Sequence, residues 1–180
     1  MIVKKILLSF AMLLAMATSI MAQTTDEKGN DLDSLYAQKL LKPGTVAPDF
    51  ILPMPNGGKL QLAEYKGKYV LLDFWASWCP DCRKDIPAVK SMFSKYGDKV
   101  VFIGVSFDID RDRWAKCIKD NGMTWKHVSE LKKMRDAKIS KTYGVQWIPS
   151  MTLIGPDGKV VLSTVIVERM EKTLSESVER

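Results

Sequence analysis

The run Val70-Leu71-Leu72-Asp73-Phe74-Trp75-Ala76-Ser77-Trp78-Cys79-Pro80-Asp81-Cys82 constrains the fold more than any other part of the chain. Residues 69–76 are continuously apolar apart from Asp73, the pattern of a strand buried on both faces. Residues 80–96 then place Cys82, Ile86, Val89 and Phe93 on one side of a helix, with Pro80 suited to its first position and Gly97 to its stop. A buried strand therefore delivers a Cys-x-x-Cys pair to the first turn of a helix. Cysteines spaced this way can close a disulfide or stand apart as thiols. The helix N-terminus favours thiolate on the first of them, as a redox nucleophile requires.

Residues 1–22 read as a secretory signal peptide. Lys4 and Lys5 precede an uncharged apolar stretch from Ile6 to Ile20, and Ala22 precedes the polar Gln23-Thr24-Thr25-Asp26. The stretch is short for a membrane span, and an uncleaved anchor is the other reading. An exported, periplasmic location follows. Residues 23–42 read as a linker with room for a short helix, and Lys42-Pro43-Gly44 as the turn that opens one domain over 43–180. Three cysteines are odd in number and too few for a disulfide scaffold, which leaves one redox pair and a spare. The net charge of +6 is spread along the chain without a basic stripe carrying aromatics, so nothing supports nucleic-acid binding.

Further along, Phe50-Ile51-Leu52 and Leu60-Gln61-Leu62 flank Asn56-Gly57-Gly58 as a small hairpin. Residues 100–107 form a second apolar strand, 111–121 a helix through Trp114, Cys117 and Ile118, and 125–128 a short strand. A helix is expected over 131–143, closed by Gly144. Strands at 150–154 and 160–165 flank the turn Gly155-Pro156-Asp157-Gly158, and 168–178 is an amphipathic helix. Strands alternating with helices, then a hairpin and a last helix, describe a three-layer α/β/α domain with a mixed central sheet.

Thiol–disulfide exchange needs an accessible thiolate to attack and a second thiol to resolve the mixed disulfide. Cys79 at the helix start is the attacker. Cys82, one turn inward and more buried, is the resolver. Asp73, an acid inside an apolar strand, is costly to ionise there and can take the proton from Cys82 as a general base. Asp85, about one turn beyond Cys82, is a second candidate acceptor. Asp81, between the cysteines, adds negative charge that disfavours thiolate, which tilts the pair toward reduction. Trp75 reads as core packing, while Trp78 stands beside Cys79 where a partner can dock.

Residues 73–82 resemble the active-site segment of the thioredoxin superfamily. Pro87 matches its helix proline, and Ile148-Pro149-Ser150 its cis-proline loop. Pro48-Asp49-Phe50 and the additional strand and helix around 108–128 resemble the exported TlpA/ResA-like branch, with an opening shared by peroxiredoxins. The resemblance implies a thioredoxin-like fold with an N-terminal β-hairpin and a strand–helix insertion. It makes Cys79 and Cys82 the redox-active disulfide, with Trp78, Pro80, Asp81, Ile148 and Pro149 facing the substrate. Asp73 matches the buried acid of thioredoxin, and Asp85 the acidic helix position of the ResA-like proteins. The implied partners are disulfide-bearing client proteins and a membrane-embedded or soluble thiol donor. The chain is expected to act as a single copy, and no cofactor is called for. A peroxiredoxin would carry Ser or Thr at Ala76 and Pro at Leu72. A metal-binding or copper-delivery module would have only Cys117 and His127 to add to the pair. Cys117 reads instead as a core hydrophobe and His127 as a surface residue.

Overall fold

The computed structural model of the protein describes Thr25 and residues 31–179. The segment read as a signal peptide lies outside the described residues. After a short helix α1 (Leu32–Tyr36), a hairpin pairs β1 (Ile51–Pro53) with β2 (Lys59–Gln61), and a 3-10 turn follows at Leu62–Tyr65. The main sheet comprises β3 (Tyr69–Trp75), β4 (Val100–Ser106), β5 (Lys126–Ser129), β6 (Ser150–Ile154) and β7 (Val160–Thr164), in the order β5-β4-β3-β6-β7. Helices α2 (Pro80–Tyr96), α3 (Arg111–Asp120), α4 (Lys138–Tyr143) and α5 (Val167–Val178) complete the fold.

The strand run is legible in its pairing. β3 lies parallel to β4, and β4 to β5, because α2 and α3 carry the chain back between them. β6 and β7, joined by a tight turn, lie antiparallel on the other side of β3. β3 is therefore the central strand, flanked on both edges, and its residues from Val70 to Trp75 are all buried. Successive side chains point to opposite faces. One face carries Leu71, Asp73 and Trp75 beneath α2, which packs on α5 and reaches the end of α3 through Lys90 Nζ and the Asn121 carbonyl. On the other, the Phe74 ring packs on Tyr143 of α4 and Phe107. The sheet is mixed and helix-covered, as the sequence pattern requires.

Three expectations change. Residues 31–42, read as linker, are docked on the domain: Ala37 and Leu40 are buried, the Leu41 amide donates to the Tyr143 carbonyl (3.3 Å), and Asp33 and Asp31 both pair with Arg169 of α5. The helix expected over 131–143 begins only at Lys138. The Ser129 hydroxyl accepts from the Leu131 amide, Leu131 takes a positive φ of 52°, and the Glu130 carboxylate accepts from the Ile139 amide across the intervening turns. His127, read as a surface residue, is 3% exposed, with Trp75 and Trp125 rings 5.8 and 5.4 Å away. Burial pushes its imidazole down to about 4, so it is neutral at physiological pH.

Candidate active site

Cys79 is the N-cap of α2, in extended conformation, and Pro80 opens the first turn. The two cysteines are joined as a disulfide, with Cα atoms 5.3 Å apart. The Cys82 amide donates to Cys79 Sγ at 3.1 Å, so a free helix-terminal N–H already points at the sulfur that would carry charge once the bond opens. Both cysteines are 4% exposed, so in the oxidised state the expected contrast between an accessible Cys79 and a deeper Cys82 is absent. Facing them, the Ile148–Pro149 peptide is cis, and the Ile148 carbonyl lies 3.7 Å from Cys79 Sγ. Chain segments far apart in sequence thus meet at one disulfide.

The loop that presents the pair is clamped from β4. Asp108, buried just past the strand, accepts from the Ser77 amide (2.9 Å), the Ser77 hydroxyl (2.6 Å) and the Ser106 hydroxyl (2.7 Å). Four oxygen lone-pair sites allow one carboxylate to hold all three donors. Asp108 does not stand out in the sequence as a site residue. Its only signal is an acid directly after an apolar strand, two positions beyond a serine.

Asp73 is 6% exposed, and no hydrogen bond or ion pair among the described residues reaches its carboxyl. Burial, with the Asp85 charge second, lifts it to about 7. Asp85 on α2 is half-buried. Burial, then the carboxylates of Glu168 and Asp81, raise it to about 6 against the pull of Lys84. Asp73 and Asp85 therefore form an electrostatically linked pair, with Glu168 at the start of α5 as a third acid that sequence spacing did not reveal. Asp81 is exposed and pairs with Lys84 at 2.8 Å.

Trp75 is buried in the core beneath α2, and Trp78 is 57% exposed at the rim. Trp78, Phe107, Ile109 and Met134 line a cleft of about 530 Å³ on its side of the disulfide. A second cleft, of about 550 Å³, lies on the Pro149 side and includes Asp81, Asp85 and Glu168. Cys117 remains a free thiol, half-buried on α3, and burial pushes it up. Among the described residues no three His, Cys, Asp or Glu side chains converge as a metal-binding group.

A dithiol placed at a helix N-terminus, beside a backbone carbonyl and near a buried acid raised to about 7, can exchange disulfides and move the proton that exchange requires. The comparisons agree with that chemistry. Residues 67–160 match a thioredoxin-like family. A thiol-disulfide oxidoreductase, ResA, of Bacillus thuringiensis is 32% identical over 69% of this chain and 70% of its own length. The ResA of Bacillus subtilis is 31% identical over 67% of this chain and 66% of its own. Among solved structures, the thioredoxin domain of a thiol-disulfide oxidoreductase from Bacteroides vulgatus superposes with a TM-score of 0.70 at 30% identity. That match covers 77% of this chain and 99% of the domain.

Proposed function

Because the chain belongs to the thioredoxin-like thiol–disulfide oxidoreductases, the family that includes the ResA proteins, we propose that it reduces the disulfides of client proteins outside the cytosol through Cys79 and Cys82. The reading is carried by one arrangement: the Cys79–Cys82 disulfide at the start of α2, beneath the Ile148 carbonyl, with the unpartnered Asp73 on the strand that leads to it.

In the reduced protein the Cys79 thiolate attacks a client disulfide, forming a mixed disulfide and releasing one client thiolate. Cys82 then loses its proton to Asp73 or Asp85 and attacks Cys79 Sγ, releasing the second client thiolate. Two electrons pass to the client, and the Cys79–Cys82 disulfide is left behind. A membrane-embedded or soluble thiol donor restores the dithiol. Pro80, Asp81, Trp78 and the Ile148–Pro149 loop face the client during the exchange.

The direction rests on charge. The thiolate of a dithiol is what makes its disulfide oxidising, and carboxylates beside it oppose that charge. Asp73, Asp81 and Asp85 all lie on the segments that carry the pair. Equilibration against dithiothreitol should give a potential of about −270 mV, in the range of thiol reductants; one of about −120 mV would make the protein an oxidant. Cys82→Ala should retain clients as stable disulfides through Cys79, seen as thiol-sensitive adducts on non-reducing gels, and Cys79→Ala should retain none. Export is supported by the charge and apolar pattern of residues 1–22. No helix among the described residues is long and apolar enough to cross a membrane. The functional unit we assign is a single copy of the domain over 43–180 together with the docked segment before it.

A further inference from the structure

Residues 31–41 form a strap whose Leu32 and Tyr36 share a cleft with Trp147 and Pro149 of the cis-proline loop. At its start, Asp31 caps α1 by accepting from the Asp33 and Ser34 amides. Asp33 accepts from the Thr164 hydroxyl (2.8 and 2.7 Å) and the Val165 amide (2.7 Å), and both acids pair with Arg169. At its end, Leu40 is buried. The Lys39 carbonyl passes so close to Gly144 that a Cβ there would collide with it. Between these anchors the Tyr36 ring stacks on Trp147, with centroids 4.3 Å apart and planes 25° from parallel. Both rings are more than a third exposed, so the core does not account for the pair. Trp147 directly precedes Ile148, whose carbonyl meets Cys79 Sγ.

Strap, Trp147, Pro149 and the β7–α5 junction enclose the cleft of about 550 Å³. Its apolar lining includes Leu32, the two stacked rings, Val165 and Val167. Its charges are unbalanced. Lys84 pairs with Asp81 and acts on Asp85 without pairing with it, and Asp85 and Glu168 make no ion pair among the described residues. Behind them Asp73, more than nine-tenths buried and without a hydrogen-bond partner, feels the Asp85 charge. An apolar, aromatic-walled groove with three carboxylates, two of them without an ion pair, and one lysine suits one kind of side chain. It would lay an aliphatic stem along the rings and valines and place a cationic head between the acids.

We propose that this cleft receives the client strand on the cis-proline side of the disulfide and selects clients with a lysine or arginine beside their disulfide, with the Tyr36–Trp147 pair as its wall. The proposal rests on the thiol–disulfide reading above and assigns the strap to substrate selection.

The test uses the full chain, pre-reduced, mixed in single turnover with two disulfide-cyclised peptides. The peptides are identical except for lysine or glutamate flanking the disulfide, and hydroxyethyl disulfide serves as a small neutral substrate. The half-saturating concentration should be about fivefold lower for the lysine peptide, the size expected of a partly exposed charge contact. Glu168→Gln should shrink that ratio, and 0.5 M salt should shrink it in the parent protein. Tyr36→Ala should bring the ratio toward one, and Tyr36→Phe should preserve it. Equal half-saturation for the two peptides overturns the proposal. So does a Tyr36→Ala protein that weakens both peptides alike and keeps their ratio, since that is the signature of a strap serving only the fold. If the parent protein fails to reduce hydroxyethyl disulfide at all, the oxidoreductase reading itself is overturned, and the cleft proposal with it.

Discussion

Asp73 holds a proton that an aspartate in a free chain gives up near its ordinary value of 3.8, because burial on the central strand, reinforced by Asp85, lifts its carboxyl to about 7. The consequence for stability has a definite sign. Below 3.8 the folded and unfolded chains are both protonated at this residue, and the shift costs nothing. As pH rises from about 4 to about 7 the unfolded chain releases the proton while the folded chain keeps it, so stability falls across that window and the loss is complete above it. In urea titrations of the oxidised protein, Asp73→Asn should be more stable than the parent at pH 8, by up to roughly 4 kcal/mol. The two curves should converge below pH 4. The same substitution should slow release of a trapped client, because Cys82 loses its proton acceptor, and should leave the initial attack by Cys79 nearly unchanged. Parallel stability curves at every pH would refute the burial account of this carboxyl. This acid was legible from sequence because it interrupts an apolar run. Asp108 was not, since its three donors come together only when the turn after β3 meets the end of β4.

Among the elements, β4 and β5 meet under a tight restriction. Gly104 lies opposite His127 in the parallel register, and a methyl on residue 104 would run into the His127 ring and lie 3.0 Å from Trp75 Nε1. The glycine gives the imidazole room to lie between two indoles. Gly104→Ala should therefore destabilise the protein by about 1–3 kcal/mol, the usual cost of overfilling a packed interior, read as a lower urea midpoint with an unchanged slope. An unchanged midpoint would mean that the ring has somewhere else to go. Strands and long helices were readable because each buries a periodic apolar face, and their ends fall within a residue or two of the expected ones. Residues 131–137 mislead because Leu131, Met134 and Ala137 recur at helical spacing and all pack on the core without forming a helix. The Ser129 hydroxyl and the Glu130 carboxylate, accepting from the Leu131 and Ile139 amides, fix the backbone there instead. His127 was misread because one histidine in a short strand carries no sign of the Trp75 and Trp125 rings around it.

At the scale of the whole molecule, the site is assembled from parts that sequence reveals unequally. Cys79 and Cys82 come together within a single turn and were evident from spacing. Ile148 and Pro149 could be placed only through resemblance, and the link from Asp85 to Glu168 required the packing of α2 on α5. The strap was invisible because its anchors, Asp31 and Asp33 to Arg169 and Thr164, join opposite ends of the chain. The segment just beyond the strap also covers the start of one border strand of the sheet. The Val160 amide of β7 donates to the Thr45 carbonyl and the Val160 carbonyl accepts from the Gly44 amide, each at 2.8 Å, and the Ala47 amide donates to the Gly158 carbonyl at 2.9 Å. The opposite border, β5, is only four residues long. A border covered at its start on one side and only four residues long on the other shortens the vacant ladder on which a foreign strand could add, and so limits edge-to-edge aggregation.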